Sequence, residues 1–478
     1  MTGWLIFIAI ALVLIVLYQV TRTLDIVSQL RGQDDENVEH STKVQAIGLL
    51  IFMILGTYGF FWSFGHFKNT NIAAASEHGE LIERMFIATL IVTGAVFVIT
   101  NILLFTFAYI YRYRRGREAE HFAHSNKLEL IWTVIPTIVL TGFVVFGLQS
   151  WTKITGKASP EAIVFEVTGQ QFFWSVRYPG VDGVLGMRDY NLICADNPVG
   201  IVTKEFIQHK IAVLSGNPDL GTRGEIGDLE SRKEALPGLI ANLQTDLAKR
   251  PNRYKADDIK AELKKLQDEL DDIDDHIIVR QKNLERIELK YTDAYLTANA
   301  SLMKAGYDDL MPSQIHLPVN KEALAKITAL DVLHDFYVPH MKVKMDAVPG
   351  MPTSFKFTPT LTTTEMRDIL SSNPIWQKVK DGDTDPIWKS FNYEVACAEL
   401  CGTGHSAMKF IMVIDTEPEY EKWLSEQVPY WDNVAGNLKI SKLSNDAPVN
   451  KSEEPVQPAE TKVDSTTADS SAAVAVKN

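Results

Sequence analysis

Four long apolar runs place the strongest constraint on what this chain of 478 residues can fold into. They cover residues 4–20, 44–64, 86–111 and 128–151. A helix of about 20 apolar residues crosses the hydrocarbon core of a bilayer and satisfies its own backbone hydrogen bonds there. The first run is short enough to be a signal-peptide core, but no Lys or Arg precedes it and no small-residue cleavage site follows. We therefore predict a membrane domain over residues 1–151 with about four transmembrane helices.

Basic residues between the third and fourth runs predict how the chain crosses the membrane. They are Arg112, Arg114, Arg115, Arg117 and Lys127. Cytoplasmic loops carry an excess of Lys and Arg, so this segment is expected on the cytoplasmic side. Everything after Trp151 is then expected on the opposite side of the membrane.

A short segment near residue 400 concentrates soft metal ligands. Two thiols, an imidazole and a thioether fall within twelve residues, at Cys397, Cys401, His405 and Met408. Thiolate and thioether sulfurs are soft donors, and imidazole suits copper, zinc and iron. Structural zinc sites use Cys, His and carboxylate ligands, so the thioether favours copper. A disulfide, a zinc site and two buried thiols remain the alternatives on the residues alone.

Three segments resemble the copper A domain of cytochrome c oxidase subunit II. They are Asp331-Val332-Leu333-His334, residues 344–350 with the sequence Lys-Met-Asp-Ala-Val-Pro-Gly, and the cysteine segment. The resemblance implies a binuclear copper A centre in which both thiolates bridge two coppers. The implied ligands are the side chains of His334, Cys397, Cys401, His405 and Met408 and the backbone carbonyl of Glu399. It also implies that the carboxylate of Glu399 binds Mg²⁺ or Mn²⁺ at the interface with oxidase subunit I; a plain surface carboxylate is the alternative.

The last two apolar runs resemble the helix hairpin of the same family. Residues 76–82 are similar to the lead-in to its first helix, and residues 126–136 to the start of its second. The resemblance implies that Glu129 marks the entrance of a proton path into subunit I. The alternative is an interfacial carboxylate, because an acid near the end of a membrane helix costs less than one at mid-membrane. The first two runs lie outside the family's two-helix pattern.

The family resemblance also implies the fold of the outer domain. We expect a membrane-anchored mixed protein, with transmembrane helices followed by a cupredoxin-like Greek-key β-barrel over residues 152–187 and 313–432. Residues 188–312 do not match the family, and their apolar residues follow heptad spacing. They predict an antiparallel helical hairpin inserted into the barrel, with its break at residues 250–252. The predicted seams are Ile259, Leu263, Leu266, Leu270, Ile273, Ile277, Leu284 and Ile287 against Leu229, Leu236, Ile240, Leu243 and Leu247. Residues 433–478 are rich in Ser, Thr, Ala, Pro and acids, which predicts a disordered tail.

The function implied by the resemblance is that of subunit II of a respiratory haem–copper oxidase. Such a chain would lie in the bacterial inner membrane, with its copper domain in the periplasm. It would accept electrons from cytochrome c, or from a complex-bound c-type cytochrome, and pass them to haem in subunit I. Oxygen would be reduced to water there, with proton pumping, and the haems would belong to partner subunits because this chain has no CxxCH motif.

Other functions are weighed against this one on the residues. A quinol oxidase subunit lacks the copper ligands that this chain carries. A membrane-anchored copper carrier, or another copper A electron-transfer protein, remains the alternative. The net charge of -13 argues against nucleic acid and favours a basic partner.

An acidic surface near the copper ligands is the predicted docking site for that partner. Its candidate residues are Asp331, Asp335 and Glu394, with an apolar patch near Phe172 and Trp174. Phe172 stands where the family has a Trp through which electrons are expected to enter. Entry through an indole at that position is therefore excluded.

Overall fold

The computed structural model describes residues 34–67 and 72–438, except for residues 122, 250–252 and 381, together with parts of residues 12–30. Three of its helices are long and apolar enough to cross a membrane. They are α1 (Asp34–Phe67), α2 (Glu77–Ile110) and α3 (Asn126–Thr155). The predicted runs that begin at residues 44, 86 and 128 fall within these helices. The predicted span over residues 4–20 lies largely outside the described residues.

The membrane helices present most of their apolar side chains outward. Their most apolar windows are almost entirely exposed within the chain, so their natural surroundings are lipid or other subunits. α1 packs on α2 through the ring pairs Phe52–Phe105 and Phe60–Phe97, each with centroids 6.3 Å apart. The Arg115 N–H donates to Glu39 over 3.2 Å, so the start of α1 and the end of α2 lie on the same side.

Two packed sheets form the outer domain. The strands are β1 (Ile163–Gln170), β2 (Phe173–Arg177), β3 (Ile315–Pro318), β4 (Ala323–Ala329), β5 (His334–Val338), β6 (Val343–Ala347), β7 (Thr353–Phe357), β8 (Tyr393–Cys397) and β9 (Lys409–Asp415). One sheet has the order β2-β1-β4-β7 and the other the order β3-β9-β8-β5-β6. β1 and β4 are parallel, as are β3 and β9, and the remaining neighbours are antiparallel. This mixed two-sheet barrel is the cupredoxin-like fold that the sequence predicted.

Alternation along the strands decides which side chains enter the barrel core. Successive strand residues point to opposite faces, and in β8 the buried residues are Tyr393, Val395 and Cys397. In β5, Phe336 and Val338 lie in the same core, together with His334 at the start of the strand. The polar ligand candidates therefore occupy the ends of core-facing rows.

The insertion between β2 and β3 contains the predicted antiparallel hairpin. Its helices are α4 (Lys204–Ser215), α5 (Gly224–Ala248), α6 (Arg253–Lys290), α7 (Asp293–Ala298) and α8 (Ala300–Ala305). α5 and α6 pack through most of the predicted seam, with Leu236 and Ile273 almost fully buried. The predicted members Leu284 and Ile287 instead pack in a separate cluster near the base of the insertion. Ion pairs Arg232–Glu269 at 2.7 Å and Lys233–Asp274 at 2.5 Å cross the hairpin. The predicted hairpin is confirmed, because the heptad residues form the apolar seam that the two helices bury between them.

A buried ion-pair network joins the insertion to the barrel. The Arg177 guanidinium at the end of β2 pairs with Glu166 of β1 and, over 2.7 Å, with Asp309. It also donates to the Gly186 carbonyl over 3.0 Å. Arg177 is only 2% exposed, and a buried charge needs such partners. The two ends of the insertion are thus held at one point of the sheet.

The chain after β9 continues the fold further than the sequence predicted. Helix α9 (Thr363–Ser371) lies between β7 and β8. Two further helices follow β9, namely α10 (Glu417–Ser425) and α11 (Tyr430–Val434). Trp431 packs against Phe206 and Tyr307 of the insertion, and Leu438 is buried in the same cluster. The prediction of disorder from residue 433 is therefore wrong for residues 433–438, whose apolar side chains find a surface on the insertion. Residues 439–478 lie outside the described residues.

The membrane anchor is tied to the base of the barrel. The Ala75 N–H donates to the His340 carbonyl over 2.7 Å, and the Thr360 N–H donates to the Ala75 carbonyl over 2.9 Å. Ser76 then caps the N-terminus of α2. His340 follows the end of β5, so these contacts lie at the opposite end of that strand from His334.

Candidate metal centre

Two neighbouring strands bring the first two ligand candidates together. His334 is the first residue of β5, and Cys397 is the last residue of β8. β5 and β8 pair with Phe336 opposite Cys397. His334 and Cys397 therefore meet at the same end of the barrel, and their reactive atoms, His334 Nδ1 and Cys397 Sγ, are 3.8 Å apart.

The loop between β8 and β9 supplies the remaining candidates. It is closed at its base, where the Cys397 N–H donates to the Met408 carbonyl over 3.1 Å. A short 3-10 helix, His405–Ala407, turns the chain back. Gly402 has φ +135°, a backbone conformation that glycine adopts far more readily than other residues. The loop thereby folds Cys401, His405 and Met408 over Cys397.

Every ligand that the resemblance implied lies against one of the two thiols. Cys397 Sγ is 3.8 Å from Cys401 Sγ and 3.2 Å from the Glu399 carbonyl oxygen. Cys401 Sγ is 3.6 Å from His405 Nδ1 and 3.8 Å from Met408 Sδ. The ligand atoms of His334, Cys397 and Cys401 all lie within 4.8 Å of one another.

These separations fit metal ligation better than the alternatives. A disulfide requires its sulfurs about 2.05 Å apart, whereas both cysteines are free thiols here. Two thiolates at about 2.3 Å from a shared tetrahedral metal lie about 3.8 Å apart. Soft sulfur donors with imidazole suit copper. The donor set that converges here therefore fits copper.

The burial of the two thiols also favours a bound cation. His334, Cys397, Cys401 and Met408 are all buried. Burial, together with the neighbouring Cys397 thiol, raises the pKa of the Cys401 thiol to about 11. Two adjacent thiolates in a buried site are stable only when a metal cation compensates their charge.

Asp331 orients the histidine at the start of β5. Its Oδ1 lies 2.9 Å from His334 Nε2, which leaves Nδ1 directed at Cys397. Burial alone would raise the pKa of the Asp331 carboxyl, but hydrogen bonds from Gln171, His334 and Val332 lower it. A carboxylate on the second ring nitrogen of a ligating histidine fixes the tautomer and the orientation of the ring.

The predicted docking residues do not form an acidic surface. Asp335 is 1% exposed and pairs with Lys344 at 3.3 Å, and Trp174 is buried with its ring 5.9 Å from the His334 ring. Neither residue can contact a partner directly, which corrects the prediction. The Asp331 carboxylate lies within hydrogen-bond distance of His334 Nε2, and Glu394 pairs with Lys409 at 2.7 Å. Phe172 is half-buried against the cysteine loop.

Two predicted site residues lie apart from the thiols. The Glu399 carboxylate is exposed beside the centre, on the residue whose carbonyl faces Cys397. Glu129 is exposed in the first turn of α3. Both remain predictions, because their expected partners belong to another chain.

Sequence reasoning missed Gln171, which contacts both ligand segments. Its backbone N–H donates to Asp331 and its side-chain amide donates to the Cys401 carbonyl. The available signal was its place in residues 169–175, which resemble a stretch of the family in which Phe172 replaces a Trp. Spacing along the chain could not show that the connection between β1 and β2 lies over the metal ligands.

The anchor, the two-sheet barrel and the buried sulfur–imidazole cluster define a membrane-anchored protein with a cupredoxin-like metal domain. Comparison with known families agrees. The model of the cytochrome c oxidase subunit II transmembrane domain matches residues 62–150, and that of the subunit II periplasmic domain matches residues 275–363. The second match includes His334 and ends before the cysteine loop. In both its membrane part and its outer part the chain is therefore similar to cytochrome c oxidase subunit II.

Similar proteins carry names of the same family. An alternative cytochrome c oxidase subunit 2 of Bradyrhizobium diazoefficiens is 24% identical over 338 residues, which is 70% of this chain and 76% of the relative. Cytochrome c oxidase subunit 2 of Cereibacter sphaeroides is 21% identical over 339 residues, 70% of this chain and 73% of the relative. The solved periplasmic domain of cytochrome oxidase subunit II from Bradyrhizobium japonicum is 23% identical, with a TM-score of 0.18. That match covers 24% of this chain and 63% of the other. The strand order and the family models, not this superposition, define the fold.

Proposed function

We propose that this chain accepts electrons from cytochrome c at a binuclear copper A centre. As subunit II of a respiratory haem–copper oxidase, it passes them to haem in subunit I, where oxygen is reduced to water with proton pumping. The membrane is the bacterial inner membrane, and the copper domain faces the periplasm.

The convergence of four further donors on two buried thiols carries this proposal. The donors come from two segments more than sixty residues apart in the chain, namely residues 331–334 and 397–408. A structural role for two thiols would not require two imidazoles, a thioether and a backbone carbonyl around them. The copper pair, when bound, supplies one-electron redox chemistry.

The protein's own contribution is to hold the donors still. His334 and Cys397 are fixed by paired strands, and the loop is closed between Cys397 and Met408. Asp331 fixes the His334 ring. A preorganised and buried ligand set keeps the ligand positions similar in both redox states and controls access of water.

Two further roles are proposed at the contact with subunit I. The exposed Glu399 carboxylate binds Mg²⁺ or Mn²⁺ with that subunit, since hard cations prefer oxygen ligands. Glu129 opens a proton path at the cytoplasmic start of α3. Other oxidase subunits and a soluble or complex-bound c-type cytochrome complete the set of partners.

The test uses the oxidase purified through a tag on this chain. Wild-type enzyme is expected to contain haem and to oxidise reduced cytochrome c with consumption of oxygen. Cys401→Ser should abolish that oxidation while the haem content stays unchanged. Cys194→Ser is the matched control, because Cys194 is a free thiol in the insertion, away from the cluster. Normal oxidation by Cys401→Ser, or purification without a haem subunit, would contradict the proposal.

A further inference from the structure

The connection between β1 and β2 lies over both ligand segments of the metal centre. Gln171 and Phe172 form this connection. A Cβ at Gly169, just before it, would lie 3.0 Å from the His334 ring. A Cβ at Gly404 would lie 2.4 Å from Phe172. The hairpin thus packs closely on the His334 ring through Gly169 and on the cysteine loop through the Phe172 side chain.

Gln171 makes one hydrogen bond to each segment. Its backbone N–H donates to Asp331 Oδ2 over 2.7 Å, and Asp331 Oδ1 in turn holds His334 Nε2 at 2.9 Å. Its side-chain Nε2 donates to the Cys401 carbonyl over 2.6 Å. One residue therefore links the histidine side of the centre to the cysteine side through His334, Asp331, Gln171 and Cys401.

The side-chain bond is specific and not a consequence of core packing. Gln171 is exposed, and exposed substitutions usually change stability by only about 0.5 kcal/mol. A barrel of this kind would fold without that amide. The amide nevertheless donates to the backbone carbonyl of a ligand residue.

We propose that Gln171 is a positioning residue that fixes the cysteine loop relative to His334 and so retains the metal. The inference rests on the proposed function, because it concerns the same centre. Loss of an outer partner of a metal ligand typically costs about 10–100-fold in metal affinity. The Gln171 amide holds the backbone carbonyl of the ligand residue Cys401 and, through it, the position of the sulfur.

The experiment measures copper release from the full-length chain in detergent after loading with copper. Gln171→Met keeps the length of the side chain and removes its donor. We expect it to lose copper to a strong chelator about 10–100-fold faster than wild type, with a shifted thiolate-to-copper absorption band and an unchanged thermal midpoint of the metal-free protein. Gln281→Met, on the exposed face of α6, is the matched control and should behave as wild type. Gln171→Lys restores a donor and should recover most of the retention.

Each outcome decides the proposal. Release and spectrum equal to wild type in Gln171→Met would overturn it, and so would a fall in the metal-free midpoint as large as that of a core substitution. If Gln171→Met takes up no copper, retention in Gln171→Lys supports the proposal and an equally empty Gln171→Lys protein contradicts it. If wild type binds no copper pair, the proposed function fails, and the same release assay with zinc still judges the role of Gln171.

Discussion

Close contacts of single residues set the geometry of the metal centre. Gly404 has φ -90° and ψ 6°, a conformation that residues with a side chain also adopt in turns. Its lack of a side chain is therefore required by the Phe172 ring and not by its backbone. Phe172, which replaces the family's Trp, thus has a packing role on the cysteine loop that a sequence comparison alone would describe only as a loss.

Gly404→Ala is expected to disturb the cysteine loop, because its Cβ would lie 2.4 Å from Phe172. Overpacking of this kind costs about 1–3 kcal/mol. The thermal midpoint and the copper absorption band of the loaded protein should both change. Phe172→Ala in the same chain should remove most of that cost, as contacting residues couple by about 0.5–3 kcal/mol. Gly436→Ala, with nothing near its added Cβ, is the control. An additive double mutant would show that the ring is not the obstacle.

Whole elements could be predicted where a pattern repeats. The heptads of α5 and α6 and the long apolar runs were sufficient to predict the hairpin and the membrane helices, because burial imposes a period on many residues at once. The ligands of the centre could be predicted from a family motif. The burial of Asp335, the pairing of Asp331 with His334 and the order of residues 433–438 could not. The first two depend on how the chain folds locally around β5, where Asp331 and His334 are only three residues apart. The order of residues 433–438 depends on a contact with the insertion, far away in the chain.

The turn between β5 and β6 contains a histidine, His340, whose protonation should make the stability of the protein depend on pH. His340 packs edge-on against Phe391 and Tyr393, with ring centroids 5.1 and 5.5 Å away. Burial and then the Lys342 charge lower the pKa of His340 to about 4, against a smaller opposite effect of Glu394. Between about pH 6.5 and pH 4 the unfolded chain therefore binds more protons than the folded chain at this position, so stability falls as the pH falls.

The measurement is the thermal midpoint of the full-length protein across that pH range. Wild type should lose stability toward pH 4, and His340→Gln should lose less, because the glutamine does not titrate. His276→Gln, on the exposed face of α6, should follow wild type. Parallel curves for wild type and His340→Gln would contradict a half-buried imidazole that stays neutral in the folded protein.

The hydrophobic core of the barrel is separate from that of the inserted helical hairpin. The barrel core includes Cys397, Cys401 and Met408, whereas the hairpin seam forms a cluster of its own. The two meet at the Arg177 network and at Trp431. The metal centre should therefore not depend on the outer part of the hairpin.

Removal of residues 234–267 and closure with a short Gly-Ser turn tests this separation. Arg232 and Glu269 already face each other across the hairpin at 2.7 Å, so the shortened helices can be joined there. We expect unchanged copper content and an unchanged absorption band in the shortened chain. A centre that fails to load would show that the hairpin supports the barrel. Normal loading with a failure to assemble into the oxidase would assign the hairpin to a subunit contact.

We propose that this chain would hold two coppers between Cys397 and Cys401 and their neighbouring donors. The most direct test is the metal content of the full-length protein together with its electron paramagnetic resonance spectrum in the oxidised form. We expect two coppers per chain and the hyperfine pattern of one unpaired electron spread equally over two copper nuclei. A single copper with a localised electron, or zinc bound in preference to copper, would contradict it.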